Sequence, residues 1–204
     1  LAKVLVEQGR SEKEARNRSW LVDRKGLVVK SRTDLADYKI PFARDEEFVG
    51  DFLQAIKKIK PTAIIGVSTI HGAFDQKVIE AMAEINDKPI IFPCSNPTSH
   101  SECTAEEAYK WSDGRAIFAS GSPFEQVTYN GKTYFPSQGN NVYIFPAVGL
   151  AVFATEAKRV TDGMFIAALY SLADQTSEDD MKKGLIFQPI KNIYFIMKLL
   201  IQLK

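Results

Sequence analysis

The chain has 204 residues, 45% of them hydrophobic, and 26 Lys and Arg stand against 25 Asp and Glu for a formal charge of +1. That size and apolar content suit one well-buried domain; the charge balance lacks the basic excess of a nucleic-acid footprint, though it leaves room for a local basic patch. No run approaches the roughly 18 apolar residues of a membrane span, and the two cysteines, without a signal-peptide pattern, fit a reducing compartment with no disulfide framework, so a soluble, intracellular chain is expected.

Leu1 to Gln8 reads as the end of a helix stopped at Gly9. Leu1 opens inside that helical pattern, so residues are expected upstream of it. Ser11 and Glu14 have capping-box spacing and start a short charged helix. Trp20-Leu21-Val22 is a short apolar strand ending in Asp23, and Arg24-Lys25-Gly26 turns the chain into Leu27-Val28-Val29. Phe48, Phe52, Leu53, Ile56 and Ile59 fall at helical spacing and end at Lys60-Pro61. Ala63 to Ser68 is the next strand, and Val78, Ile79, Met82 and Ile85 mark the helix after it.

Lys88 to Cys94 is an apolar strand of the kind covered on both faces by helices. Thr104 with Glu107 caps a further helix, Ala116 to Ser120 is another strand, and Asn130-Gly131 signals a tight hairpin. After Phe145-Pro146 the chain reads as mostly helical, and residues 147–204 close it. The apolar end, Tyr194 to Lys204, reads either as an amphipathic helix or as an altered terminus. Alternating strands and helices predict an α/β fold: a Rossmann-like, doubly wound, largely parallel sheet with flanking helices and a helical C-terminal part. Its first βα unit, with the Gly-rich turn, is expected upstream of Leu1.

In open α/β sheets ligands gather beyond the carboxyl ends of the strands. Two amide-rich turns fall at such places: Ser95-Asn96-Pro97-Thr98 and Gln138-Gly139-Asn140-Asn141. Asparagine offers both a donor and an acceptor without adding charge, so Asn96 and Asn141 are candidates to hold a hydroxy-acid or a nicotinamide amide. Taken singly, each is also an ordinary turn residue. Gly66-Val67-Ser68 ends the central strand, where a glycine admits a ring or phosphate, or simply packs.

Asp23 stands where dinucleotide-binding folds place a ribose-binding carboxylate. Arg24, Lys25 and Lys39 could neutralise a 2′-phosphate there, favouring NADP over NAD, or form a solvated basic turn. His71 and His100 lack metal-ligand spacing and read as surface or loop residues. Cys94 reads as a small buried hydrophobe. No positioned acid–base pair or metal-ligand set is evident.

The chain resembles the malic enzymes at Ser95-Asn96-Pro97-Thr98 and through Glu102 to Ala108, Gly114 to Phe124 and Gln138 to Pro146. These near-contiguous motifs cover most of residues 20 to 190. The resemblance implies an NAD(P)-binding domain over residues 1–204 of an enzyme that oxidatively decarboxylates (S)-malate to pyruvate and CO₂ with a divalent metal, Mg²⁺ or Mn²⁺. It implies malate contacts from Asn96, Asn140 and Asn141, and a nicotinamide side lined by Gly66, Val67, Ser68 and Ser95. Asp23 matches the ribose carboxylate, and Lys39 matches the lysine that NADP-using members place by the 2′-phosphate, reinforced by Arg24 and Lys25. The acid–base residues and the metal ligands belong upstream in the family, so this chain by itself is expected to be catalytically silent.

Ser137 and His71 stand where many members carry glycine. A homo-oligomer is expected of the complete enzyme, the charge balance and the lack of a long apolar run predict no nucleic-acid or membrane partner, and cytoplasmic placement is expected over organellar. Two other readings stay open: a non-catalytic nucleotide-binding module of the same fold, and a Rossmann-type dehydrogenase for another substrate.

Overall fold

The computed structural model describes residues 1–189; the expectation for the apolar tail, Tyr194 to Lys204, lies outside them. The chain divides into two compact units, Leu1–Lys60 and Pro61–Lys204.

In the first unit, α1 (Ala2–Glu7) ends before Gly9, whose φ of 87° is the left-handed conformation a helix stop uses. Ser11 and Glu14 form the expected reciprocal capping box ahead of α2 (Glu12–Arg16). The apolar stretch after it does not make a long strand. β1 (Val22–Asp23) and β2 (Gly26–Leu27) pair as a short antiparallel hairpin, with Asp23 opposite Gly26. Gly26 has φ 119°, and a Cβ there would overlap the Val49 carbonyl oxygen, so turn geometry and close packing both require glycine. Val28 and Val29 are fully buried, and Val29 bridges to Arg44. α3 (Phe52–Ile59) is capped by the Asp51 carboxylate, which accepts from Gln54 N–H at 2.8 Å. Phe48, read from its spacing as helical, lies ahead of that cap.

The second unit holds a four-stranded parallel sheet in the order β3 (Ala63–Gly66), β4 (Ile90–Pro93), β5 (Ile117–Ser120), β8 (Ser137–Gln138). α4 (Gln76–Ile85) and α5 (Ala105–Trp111) are the crossovers, and they pack against each other. Successive right-handed crossovers in one direction put both helices on one face. The parallel sheet with flanking helices bears out the Rossmann-like α/β fold expected from the sequence. Ile64, Ile91 and Phe118 are buried with Ile79, Met82 and Tyr109, whereas Ile65 is 59% exposed and Phe92 half-buried.

Between β5 and β8 the chain makes the expected hairpin, β6 (Val127–Tyr129) and β7 (Lys132–Tyr134), turning through Asn130 (φ 49°) and Gly131 (φ 75°). Tyr134 stacks on Tyr109 of α5 with ring centroids 4.3 Å apart. The helical part follows as α6 (Phe145–Thr155), α7 (Asp162–Ala173) and α8 (Glu178–Lys182). Its own small core is Tyr143, Ala147, Val148, Ala168 and Leu172, with Phe187 against it.

Candidate functional site

Because β3, β4, β5 and β8 are parallel, their carboxyl ends form one row of loops, where an open α/β sheet binds its ligands. The row is polar and cross-linked. At the β3 tip, Ser68 donates to Glu102 Oε1 from both its N–H and its hydroxyl, each at 2.8 Å. At the β4 tip, the Ser95 hydroxyl donates to the same oxygen at 2.5 Å, and Ser95 N–H donates to Oε2 at 3.3 Å.

Glu102 is fully buried. Burial works against its charge, but the Ser95 and Ser68 hydrogen bonds outweigh that and hold the carboxyl below its usual range. A Cβ at Gly66 would overlap the Glu102 carboxyl group, so the glycine makes room for the carboxylate. Sequence reasoning proposed Gly66, Ser68 and Ser95 as cofactor residues and overlooked the glutamate that joins them. Glu102 sits two residues before a helix cap, with no periodicity to mark it as interior. The usable signal was a glycine and two serines at adjacent strand ends.

Val67, between Gly66 and Ser68, is 77% exposed on this row. Asn96 is exposed at the β4 tip and joined to Pro97 by a cis peptide. Its Oδ1 accepts from the Ser122 hydroxyl at 2.7 Å, which leaves Nδ2 as the donor offered to a ligand. Ser122 lies beyond β5, and Ser120 in turn bonds its carbonyl at 2.8 Å. So β5 stands between the two amide turns, and its tip braces Asn96.

At the β8 end, Gly139 N–H donates to the Ser120 carbonyl. The Asn140 side chain caps the following turn by accepting from Val142 N–H at 2.9 Å. Asn140 and Asn141 are exposed and line an apolar cavity of about 260 Å³ with Tyr143, Phe145, Phe165 and Phe187. Burial pushes the Tyr143 hydroxyl up to about 12, so it stays protonated and donates to the Gln188 carbonyl at 2.6 Å. Ser137 stands in this neighbourhood as a stitch: its hydroxyl accepts from Ile186 N–H at 2.8 Å and Phe187 N–H at 3.4 Å.

In the first unit, Asp23 ends β1 as expected, and a residue that sequence reasoning passed over holds it. Arg32 grips Asp23 through two nitrogens, at 2.9 and 3.1 Å, and grips Asp34 in the same way. Lys39 bonds Asp23 at 2.6 Å, and Lys25 bonds Asp34 at 2.6 Å. Burial raises the Asp23 carboxyl, but the Arg32 and Lys39 bonds prevail and hold it well below the carboxylate range. Three cations thus meet two carboxylates, leaving an excess of positive charge beside the ribose candidate. Among the described residues, the ion pairs of this cluster are made by Arg32, Lys39 and Lys25 and do not include Arg24. His71 and His100 are exposed, as read. The Cys94 thiol is half-buried and pushed up by burial and by Glu102, which makes it a poor nucleophile.

Parallel strands with a polar row at their carboxyl ends, together with an acidic residue gripped by cations, define a nucleotide-cofactor domain. The chain belongs to the malic enzyme family: residues 1–199 match the malic enzyme NAD binding domain. It is 55% identical over 181 residues to the NADP-dependent malic enzyme of Vitis vinifera, covering 88% of this chain and 31% of that protein. It is 54% identical to the chloroplastic NADP-dependent malic enzyme of Oryza sativa subsp. japonica, again over 88% of this chain and 28% of the other. The chain therefore spans about a third of the length of these relatives. The malic enzyme structure of Entamoeba histolytica superposes with a TM-score of 0.69 at 23% identity, over 90% of this chain and 36% of that one, and shows the same fold.

The expected cytoplasmic placement is corrected by these names. The rice relative is named chloroplastic, as are others from Arabidopsis thaliana, Flaveria trinervia and Solanum lycopersicum. Among the described residues no helix is long and apolar enough to cross a membrane.

Proposed function

We propose that residues 1–204 form the cofactor-binding domain of a plastid malic enzyme that oxidatively decarboxylates (S)-malate with NADP. The observation that carries this reading is the braced row of polar groups at the sheet's carboxyl edge, in a chain of this family. Bound NADP would supply the hydride acceptor. Gly66, Val67, Ser68 and Ser95 would line its nicotinamide, where exposed Val67 offers an apolar surface.

Asn96 would donate from Nδ2 to a malate oxygen, oriented by Ser122, while Asn140 and Asn141 would complete the substrate contacts. Asp23 would accept from the adenosine ribose. Lys39, Lys25, Arg24 and Arg32 would face a 2′-phosphate, the excess of cations offsetting repulsion from Asp23. The names of the grape and rice relatives support NADP over NAD. A divalent metal is part of the family's chemistry, yet no group of three or more His, Cys, Asp or Glu among the described residues could hold one. No step is therefore assigned to a metal on these residues.

A homo-oligomer belongs to this reading and draws support from large apolar side chains left exposed on α6, Leu150 and Phe153. The test is Asn96→Ala in protein expressed from the full open reading frame. Malate KM is expected to rise and kcat/KM to fall by roughly a hundredfold, with the melting temperature nearly unchanged. Wild-type malate kinetics in the variant would contradict the substrate role.

A further inference from the structure

At the carboxyl ends of β3 and β4 the last backbone bonds are Cys94 N–H to the Gly66 carbonyl and Gly121 N–H to the Pro93 carbonyl. Beyond that point one carboxylate joins the β3 loop to the β4 loop. Glu102 Oε1 takes three donors: the Ser68 N–H, the Ser68 hydroxyl and the Ser95 hydroxyl. Oε2 takes the Ser95 N–H. The two serines extend the grip outward. The Ser95 oxygen accepts from Thr69 N–H at 2.9 Å, and the Ser68 oxygen accepts from Ile70 N–H at 3.2 Å. The Glu102 carbonyl adds a bond from Phe74 N–H at 2.9 Å. Thr69 itself holds a positive φ of 56°, a strained choice for a β-branched residue that surrounding structure must enforce.

We infer that Glu102 is a positioning residue for the reaction: its buried carboxylate sets the spacing of the β3 and β4 tips, and through Ser68 and Ser95 fixes where Val67 and Asn96 meet the reacting ends of cofactor and substrate. The inference rests on the cofactor and malate assignments above and adds the group that holds them in register. Three features of the molecule converge on it. A fully buried charged side chain is kept with hydrogen bonds from two separate loops, all from neutral serine hydroxyls and amides. Gly66 is left without a Cβ on the side that the carboxyl group occupies. The two loop residues that the Glu102 carboxylate binds, Ser68 and Ser95, are the chain neighbours of Val67 and Asn96.

A carboxylate suits this role because it accepts at several positions and donates at none. The isosteric Glu102→Gln keeps the volume but turns one oxygen into an NH₂ group that faces donors. The glutamine must then rotate or push one tip away, and a displacement near 1 Å at a reacting centre is enough to slow chemistry strongly.

The experiment compares wild type, Glu102→Gln and Ser68→Ala, each expressed from the full open reading frame. It measures malate kinetics and the affinity for 2′-phospho-ADP-ribose, which has the adenosine end of NADP and no nicotinamide. For Glu102→Gln we expect kcat with malate to fall roughly tenfold or more, while the affinity for 2′-phospho-ADP-ribose stays within about twofold. Ser68→Ala, which leaves Glu102 and its Ser95 bonds in place, is expected to show a smaller drop of the same pattern. Wild-type kcat in Glu102→Gln would overturn the inference. Equal losses of kcat and of 2′-phospho-ADP-ribose affinity would also overturn it, since that is the mark of general unfolding. If Glu102→Gln does not fold, Ser68→Ala decides: unchanged kcat in that variant counts against the inference. A wild-type protein that binds the probe but does not turn over malate removes the malate reading, and the inference with it.

Discussion

Asp23 and Glu102 show how one residue type serves two ends. Both carboxylates are held ionised by their donors, Asp23 by Arg32 and Lys39 and Glu102 by serine hydroxyls and amides. Asp23 was legible from its place after an apolar strand, and Lys39 from the resemblance. Arg32 was not, because its bonds to Asp23 and Asp34 come from a loop that has no pattern in sequence. The bidentate grip predicts that Arg32→Ala destabilises the chain by about 1–3 kcal/mol, since charge-assisted bonds are lost to a part-buried carboxylate. Urea unfolding checks this, and a midpoint equal to wild type would show that water replaces the guanidinium at no cost. Gly66→Ala sets a methyl group against the Glu102 carboxyl, and overpacking there is expected to cost about 1–3 kcal/mol. The same unfolding experiment reads it, with Gly139→Ala as a control, since no atom lies closer than 3.9 Å to a Cβ there.

At the scale of elements, the caps and the hairpin turn were readable because their signals are local. Ser11 with Glu14, Thr104 with Glu107 and Asn130-Gly131 each satisfy backbone groups within three residues. The strands were readable as strands, but not what covers them. The Ile90 run looks uniformly apolar, yet α4 and α5 shield only one face, and that follows from crossover handedness rather than from composition. The Ser137 contacts were equally hidden, since the partners lie about 50 residues away in sequence. Ser137→Gly, which removes the accepting hydroxyl, is expected to free the Ile186 and Phe187 amides. Hydrogen exchange at those two amides should quicken by roughly tenfold for a bond worth about 1 kcal/mol. Unchanged exchange would mean that the hydroxyl is incidental to the anchoring of this segment.

For the whole molecule, the two depressed carboxylates couple stability to acid. The unfolded chain takes up protons at the ordinary carboxylate pKa, near 4, before the folded chain does. The stabilisation from Asp23 and Glu102 is therefore complete above that range and is lost as the pH falls through the lower folded values. Melting temperature should hold between pH 6 and 8 as far as these groups decide it and fall below pH 4, more steeply in wild type than in an Asp23→Asn, Arg32→Ala double variant. Parallel acid profiles in the two proteins would remove Asp23 from the linkage.

The direct measurement of the central claim is malate-dependent reduction of NADP against NAD, with and without Mn²⁺, by protein expressed from the full open reading frame. Pyridine reduction that requires malate and the metal, with kcat/KM favouring NADP, is the expected result. No reduction of either nucleotide by malate would show that the braced carboxamides at the strand ends serve some other ligand.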